Sequence, residues 1–155
     1  MNILVSEPVE LKLGDSIPDV AVQDQNDTTV NLANESNAGY ILIFFYPRAL
    51  TGGCTAQACS LRDAYSELQE KGVKIFGVST DTVEKQKKFE VRHNLPFQLL
   101  ADTEKKVIEA FGVPLKNNSS AKRQAFLFKD GKLVWFDKKA STAKQAEDVL
   151  NVIES

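Results

Sequence analysis

The chain has 155 residues, of which 43% are hydrophobic and 26% are charged, so it can bury the core of one ordinary domain. Its net charge of −2 gives no general attraction to phosphate backbones or anionic lipids, which argues against a nucleic-acid or membrane partner. The apolar run at residues 3–5 is too short for a signal-peptide core or a membrane span. We therefore expect a single domain over residues 1–155 and a cytoplasmic location, although a removed presequence would leave no trace.

The first half of the chain alternates between strand and helix patterns. Two short apolar segments, residues 20–22 and 29–32, flank a polar turn and predict a hairpin. Residues 40–46 form a continuous apolar run of strand length, as expected for a strand that is buried on both faces. The apolar spacing then changes to three and four residues, which predicts an amphipathic helix that ends near Gly72; its apolar positions are Cys54, Ala58, Leu61, Tyr65 and Leu68.

The second half continues with a strand, two helices, a hairpin and a final helix. Their predicted ranges are residues 73–79, 82–93, 102–111, 124–128 with 132–136, and 142–153. Gly112 is expected to end the second of these helices, and Asp130-Gly131 is a strong signal for a hairpin turn. The final helix is expected to place its apolar residues on one face, namely Ala143, Ala146, Leu150 and Ile153.

This order of elements predicts an α/β protein with a thioredoxin-like fold, in which an N-terminal β-hairpin extends a mixed central sheet flanked by helices. Open sheets of this kind bind their ligands at the carboxyl ends of the parallel strands. The first such end lies at Tyr46-Pro47. We therefore expect the functional site immediately after it.

The segment after this strand end contains both cysteines of the chain. Thr51 is a suitable N-cap residue, so Gly52, Gly53 and Cys54 are expected in the first turn of the helix. Unpaired backbone N–H groups and the positive end of the helix dipole would stabilise a thiolate at Cys54, and the glycines would leave the approach to its sulfur open. A structural cysteine is the alternative for an isolated thiol, and this setting favours a reactive one.

Ionisation alone does not make a fast thiol. A more acidic thiol has a larger thiolate fraction but is a weaker nucleophile, so the net gain is only about a few-fold. Further donors are needed to stabilise the charge that develops on a departing atom. The Thr51 hydroxyl is one candidate, and the pattern of residues leaves three arginines open: Arg48, Arg62 and Arg123.

The motif Pro47-x-x-x-Thr51-x-x-Cys54 resembles the active-site signature of peroxiredoxins, and the five-residue step to Cys59 resembles their peroxiredoxin Q branch, also called bacterioferritin-comigratory proteins. The similarity runs over nearly the whole chain. It includes Gly14-Asp15-x-x-Pro18-Asp19, Phe44-Phe45-Tyr46-Pro47, Arg62-Asp63, Gly77-Val78-Ser79, Leu99-Leu100-Ala101-Asp102 and Phe111-Gly112-Val113.

The resemblance implies a role for each residue of the segment. Cys54 would be the peroxidatic thiol, which becomes a sulfenic acid, and Cys59 the resolving thiol, which forms a disulfide with it. Thr51 and Arg123 would contact the thiolate and the peroxide oxygens, and Pro47 would shield the pocket from water. In an ideal helix the two cysteine Cα atoms would be about 8.6 Å apart, whereas a disulfide tolerates at most about 7 Å. We therefore expect oxidation to melt the start of the helix.

The resemblance further implies hydrogen peroxide or organic hydroperoxides as substrates, thioredoxin or a related dithiol protein as reductant, a monomer, and no metal, haem or flavin. Two other functions stay open on the same fold. A general thiol–disulfide oxidoreductase would use a Cys-x-x-Cys motif, and a redox sensor would turn over slowly. A zinc site lacks ligands, since His93 is the only histidine and is expected to be exposed rather than catalytic.

Overall fold

A computed structural model describes residues 10–35 and 39–154, so the apolar run at residues 3–5 lies outside the described part of the chain. The strands there are β1 Ala21–Gln23, β2 Thr29–Asn31, β3 Tyr40–Phe45, β4 Val73–Ser79, β5 Gln98–Ala101, β6 Leu115–Lys116, β7 Ser120–Ala121, β8 Gln124–Lys129 and β9 Lys132–Asp137. The α-helices are α1 Gly52–Asp63, α2 Tyr65–Glu70, α3 Val83–His93, α4 Lys106–Phe111 and α5 Gln145–Glu154, and a 3-10 helix spans Leu32–Glu35. Within these residues no helix has the length and apolar character needed to cross a membrane.

Five strands form the central mixed sheet, in the order β5-β4-β3-β8-β9. Strands β3, β4 and β5 run parallel, whereas β8 is antiparallel to β3 and β9 is antiparallel to β8. The separate hairpin of β1 and β2 meets the β5 edge through a bridge between Asp24 and Leu100. The predicted thioredoxin-like architecture with an N-terminal hairpin and a mixed sheet is therefore confirmed.

The alternation of side chains along β3 divides the protein into two apolar layers. Leu42 and Phe44, followed by Tyr46, pack in the same cluster as the buried side of α1 and α5. Ile41, Ile43 and Phe45 point to the opposite face, where the hairpin and α4 cover them. Because both faces are covered, β3 has the continuous apolar sequence from which it was predicted.

Gly77 in β4 makes room for the cluster next to α1. A Cβ atom at this position would lie 2.8 Å from the ring of Phe44 and 2.9 Å from Leu99. A larger residue would therefore displace side chains of the neighbouring strands β3 and β5. Close packing of Phe44 and Leu99 against this position therefore explains why the Gly77-Val78-Ser79 motif begins with glycine.

The structure divides the predicted long helix at Ala64. The backbone there has φ −98° and ψ 9°, outside the helical region, so α1 ends at Asp63 and α2 begins at Tyr65. Most of the predicted apolar stripe persists through the break. Tyr65 is only half-buried, and the fully buried positions are Cys54, Ala58, Leu61 and Leu68.

Three smaller features also differ from the prediction. Strand β5 was not predicted, because a strand of four residues, three of them apolar, is too short to show a period. Strands β6 and β7 add a small hairpin whose turn uses Asn117 and Asn118 at positive φ (54° and 57°), a conformation that asparagine tolerates. Ala143 is exposed and precedes α5, so the prediction that it belongs to the buried face was wrong; Ala146 and Val149 are buried there.

Candidate active site

The first turn of α1 starts the site. Thr51 is the N-cap residue, with extended backbone angles, and its carbonyl accepts the first helical hydrogen bond from Thr55 N at 2.9 Å. Gly52, Gly53 and Cys54 therefore occupy the first turn, as predicted, and their N–H groups have no partner within the helix. The side chain of Thr51 makes no capping hydrogen bond to them. These N–H groups and the helix dipole favour negative charge at the position of Cys54.

Arg123 supplies the fixed positive charge next to the sulfur. Both terminal nitrogens of its guanidinium, Nη1 and Nη2, lie 3.5 Å from Cys54 Sγ. The residue precedes β8, and the antiparallel pairing of Gln124 with Phe45 brings it to the carboxyl end of β3. Arg62 lies elsewhere, where it donates to the His93 carbonyl at 2.8 Å and pairs with Asp63. Of the three candidate arginines, Arg123 is the one whose side chain contacts the sulfur in the described part of the chain.

Gln57 orients that guanidinium. Its side-chain oxygen accepts a hydrogen bond from Arg123 Nη1 at 2.7 Å, while its own amide nitrogen donates to Gln145 Oε1 at 2.8 Å. Gln57 is fully buried, so water does not compete for these bonds. Gln57 was not among the predicted site residues, although it lies three residues after Cys54 on the same helix, where side chains are neighbours.

Asp81 supports the loop that leads to Cys54. One of its carboxylate oxygens accepts hydrogen bonds from the backbone N–H of Ala49 and from the Ser79 hydroxyl, both at 2.6 Å. Asp81 is 6% exposed and follows β4, so a second parallel strand end contributes to the same site. Asp81 was also not among the predicted site residues, and its position after a buried strand is the one sequence signal for its role.

Tyr46 extends this polar network under the site. Its hydroxyl donates to Gln86 Oε1 at 2.5 Å, and the Gln86 amide donates to the Ser79 hydroxyl at 3.0 Å. Burial raises the pKa of Tyr46 well above its usual range, and the neighbouring charges of Asp81 and Cys54 add to the increase. The folded protein therefore strongly favours the neutral phenol.

We expect Tyr46 to make the protein less stable at alkaline pH. Because its pKa is higher in the folded state, its contribution is fully present below the unfolded pKa of about 10 and is lost as the pH rises above that value. The free energy of unfolding should fall with pH more steeply in wild type than in Tyr46→Phe, by up to about 1.4 kcal/mol per pH unit above pH 10. Urea unfolding from about pH 8 to pH 11 measures both slopes, and equal slopes would contradict the expectation.

The other predicted site residues lie close to this centre in sequence and differ in their contacts. Pro47 is half-buried at the end of β3. Thr51 is exposed, and its hydroxyl donates to the Arg48 carbonyl at 2.9 Å instead of to the sulfur. Cys59 is half-buried in α1, and both cysteines are free thiols, so the structure represents the reduced protein. The backbone of Leu50 is strained, with φ 68°, a value that a leucine rarely adopts.

The sulfur is less accessible than the sequence predicted. Cys54 is fully buried, so the expectation that Gly52 and Gly53 leave it open is wrong for this conformation. A Cβ atom at Gly53 would lie 3.0 Å from Arg123 Nη2, which shows how closely the guanidinium packs over the first turn. A substrate therefore reaches the sulfur only after side chains around it move.

Two other predictions concern residues away from the sulfur. His93 is half-buried, and its ring packs edge-on against Phe89 with 5.7 Å between centroids, a packing role that the expectation of an exposed residue missed. In the described ranges, no group of three or more His, Cys, Asp or Glu side chains is arranged to hold a metal ion.

Several known proteins are similar to this chain in sequence. The model of the AhpC/TSA family matches residues 13–136. Peroxiredoxin Bcp of Bacillus subtilis is 36% identical over 151 residues, which cover 93% of this chain and 96% of that protein. Peroxiredoxin Bcp of Escherichia coli is 45% identical over 103 residues, which cover 66% of this chain and 65% of that protein.

Solved structures agree with these sequence matches. Peroxidoxin BcpB from Mycobacterium tuberculosis superposes with a TM-score of 0.85 at 32% identity and covers 94% of this chain and 97% of its own. The bacterioferritin comigratory protein of Xanthomonas campestris, described for its alkyl peroxide reduction activity, superposes with a TM-score of 0.82 at 25% identity; the match covers 93% of this chain and 96% of that one.

Proposed function

Because this chain belongs to the AhpC/TSA family and is a thiol-dependent peroxidase of the Bcp type, we propose that Cys54 attacks the peroxide and that Cys59 resolves the product. The observation that carries the assignment of Cys54 is the contact of its sulfur with both terminal nitrogens of Arg123, each at 3.5 Å, in the first turn of α1. Cys59 lies in the same helix and has no such partner among the contacts of the described residues.

In the first step the Cys54 thiolate attacks one peroxide oxygen. A sulfur–oxygen bond forms while the oxygen–oxygen bond breaks, so the sulfur is oxidised to a sulfenic acid and the peroxide is reduced to water or an alcohol. The departing oxygen takes up negative charge before it is protonated, and Arg123 is placed to stabilise that charge. Thr51 is proposed to donate to the peroxide once its hydroxyl leaves the Arg48 carbonyl, and Pro47 to limit the entry of water.

In the second step the Cys59 thiol attacks the sulfur of the sulfenic acid. The disulfide forms, the sulfur–oxygen bond breaks, and the oxygen leaves as water with the proton from Cys59. Both residues lie in α1, where ideal geometry keeps their Cα atoms about 8.6 Å apart, so the start of the helix must unwind. The strained backbone of Leu50 supports this, because opening the loop before α1 would release the strain.

The enzyme then needs a thiol reductant to return to its starting state. We propose thioredoxin or a related small dithiol protein, because the exposed disulfide of an unwound segment is accessible to another protein's thiolate. We also propose that the protein acts as a monomer in the cytoplasm on hydrogen peroxide and organic hydroperoxides. The net charge of −2 argues against a nucleic-acid or membrane partner, and a catalytic pair of cysteines must be returned to thiols, which a reducing compartment favours.

Peroxide-dependent NADPH consumption, measured with thioredoxin and its reductase, tests the proposed catalytic cycle. A peroxidase of this kind consumes NADPH continuously with peroxide. A general thiol–disulfide oxidoreductase would reduce disulfide substrates and ignore peroxide, and a redox sensor would be oxidised stoichiometrically with little turnover. Absence of continuous consumption with either thioredoxin or a glutaredoxin would contradict the proposed cycle.

We expect Cys59→Ser to separate the two steps. The variant should still react once with hydrogen peroxide, because Cys54 and Arg123 are unchanged, but should lose thioredoxin-linked turnover by about a hundredfold or more. Intact mass spectrometry should detect a sulfenic acid on Cys54, which excess peroxide converts to the sulfinic acid. Thr55→Ser, a conservative change in the same helix, serves as the control. Wild-type turnover in Cys59→Ser would show that this thiol does not resolve the intermediate.

A further inference from the structure

One face of α1 is joined to the segment that begins α5. Gln57 donates to Gln145 Oε1 at 2.8 Å, and the backbone N–H of Ala146 donates to the Ser60 hydroxyl at 3.2 Å. One turn earlier on this face, a Cβ atom at Gly53 would lie 3.5 Å from the Thr142 methyl group. Residues 53, 57 and 60 are spaced at helical intervals, so they all face residues 142–146. Unwinding of α1 as far as residues 57 and 60, which lie on either side of Cys59, would therefore break these bonds.

The orientation of the Gln145 amide follows from the active site. Arg123 is a donor, so it fixes the Gln57 oxygen toward itself, and Gln57 can present only its NH2 group to Gln145. Gln145 must then accept with its oxygen, which leaves its own Nε2 without a hydrogen-bond partner. It is the one buried side-chain nitrogen or oxygen atom without a partner in residues 10–35 and 39–154. Gln145 is fully buried, so no bulk water reaches this donor.

An unpaired buried donor destabilises the closed arrangement relative to one in which it meets water. Two hydrogen bonds therefore stabilise the contact between α1 and α5, and one unpaired amide nitrogen destabilises it. The same chain of contacts links it to the sulfur: Cys54 to Arg123, Arg123 to Gln57, and Gln57 to Gln145. A neutral sulfenic acid attracts Arg123 less than a thiolate does, so the restraint on Gln57 weakens after the first step.

We propose that Gln145 is a positioning residue for the resolving step: it holds α1 against α5 during the attack on peroxide and sets how often the helix opens to bring Cys59 to Cys54. The inference rests on the proposed roles of the two cysteines. It assigns to α5 a control over the partition of the sulfenic acid between the disulfide and the sulfinic acid, because a slower opening gives a second peroxide more time to react.

The test compares two rates in Gln145→Ala and wild type. Rapid quenching after mixing with hydrogen peroxide, followed by intact mass spectrometry, follows the thiol, the sulfenic acid and the disulfide separately. Gln145→Ala removes the unpaired nitrogen of Gln145 but leaves the amide nitrogen of Gln57 unpaired in its place, so the net change is the loss of one hydrogen bond. This loss should raise the ratio of the rate of disulfide formation to the rate of sulfenic acid formation about fivefold. The fraction of sulfinic acid at a fixed peroxide excess should fall accordingly.

Three further variants show whether a change in the ratio comes from the contact between α1 and α5. Gln145→Glu keeps an acceptor for Gln57 and, when ionised, has no unpaired donor, so it should form the disulfide no faster than wild type. Ser60→Ala removes the second bond of the same contact and should raise the ratio as Gln145→Ala does. Lys144→Ala changes an exposed neighbour and should leave the ratio unchanged.

An unchanged or lowered ratio in Gln145→Ala would overturn the inference, whatever the ratio in Ser60→Ala. A purely structural role for Gln145 would lower the stability of the protein without raising the ratio of the two rates. Failure of the proposed function looks different, because wild type itself would then form no sulfenic acid on Cys54 or no disulfide with Cys59.

Discussion

Replacing Cys54 with serine is expected to abolish peroxide reduction, with kcat/KM falling at least about a thousandfold. A serine hydroxyl remains protonated at neutral pH and is a far weaker nucleophile than a thiolate, so the attack on the oxygen–oxygen bond loses its reacting atom. The Arg123 guanidinium would remain next to the hydroxyl, but a positive charge that stabilises a transition state cannot replace the nucleophile.

The measurement is thioredoxin-linked NADPH consumption with hydrogen peroxide, supported by intact mass spectrometry of the protein after oxidation. The variant must first be shown to fold, because Cys54 is fully buried in the apolar cluster between the sheet and α1. Urea unfolding should show a loss of about 1 kcal/mol, too small to unfold a domain of ordinary stability. Substantial peroxidase activity in a folded Cys54→Ser protein would mean that another group attacks the peroxide.

Replacing Arg123 with alanine is expected to lower the rate constant for reaction with peroxide by about a hundredfold to a thousandfold. The guanidinium supplies both donors that lie 3.5 Å from the sulfur, and removal of one such preorganised donor commonly has an effect of this size. The loss should appear in the first step, because that is the step in which the departing oxygen takes up negative charge. Single-turnover oxidation, followed by mass spectrometry, measures that step directly.

Arg123→Lys and Lys122→Ala make the comparison specific. Lysine keeps the charge but is a point donor, so it cannot hold the sulfur with two nitrogens and Gln57 at the same time, and it should restore only part of the rate. Lys122 is the exposed neighbour of Arg123, and its removal changes the net charge equally without touching the site. If Lys122→Ala slowed oxidation as much as Arg123→Ala, the effect would be one of overall charge, and the proposed role of Arg123 would be wrong.

Some residues of the site could not be predicted from the sequence, and the physical reason is the same for each of them. Gln57, Asp81 and Gln145 act through hydrogen bonds to residues far along the chain, and glutamine or aspartate at one position has no local signature of such a bond. Gln57 meets Gln145 across 88 residues, and Asp81 meets Ala49 across 32. Each partner depends on how α5 packs on α1, or on how β4 lies beside β3.

Features that depend on local pattern could be predicted from the amino-acid sequence. The apolar run of β3, the helical spacing that begins at Cys54 and the Asp130-Gly131 turn predicted their elements, because periodicity and turn chemistry act within a few residues. The signature Pro47-x-x-x-Thr51-x-x-Cys54 predicted the family, because it too is a pattern of residues close together in sequence. The arginine that contacts the sulfur could be identified only from the tertiary structure, because pairing of β8 with β3 brings Arg123 next to Cys54, 69 residues away in sequence. The tertiary structure also decided that Cys54 is buried and that α5 restrains α1, because burial and long-range hydrogen bonds exist only once the sheet and its helices pack together.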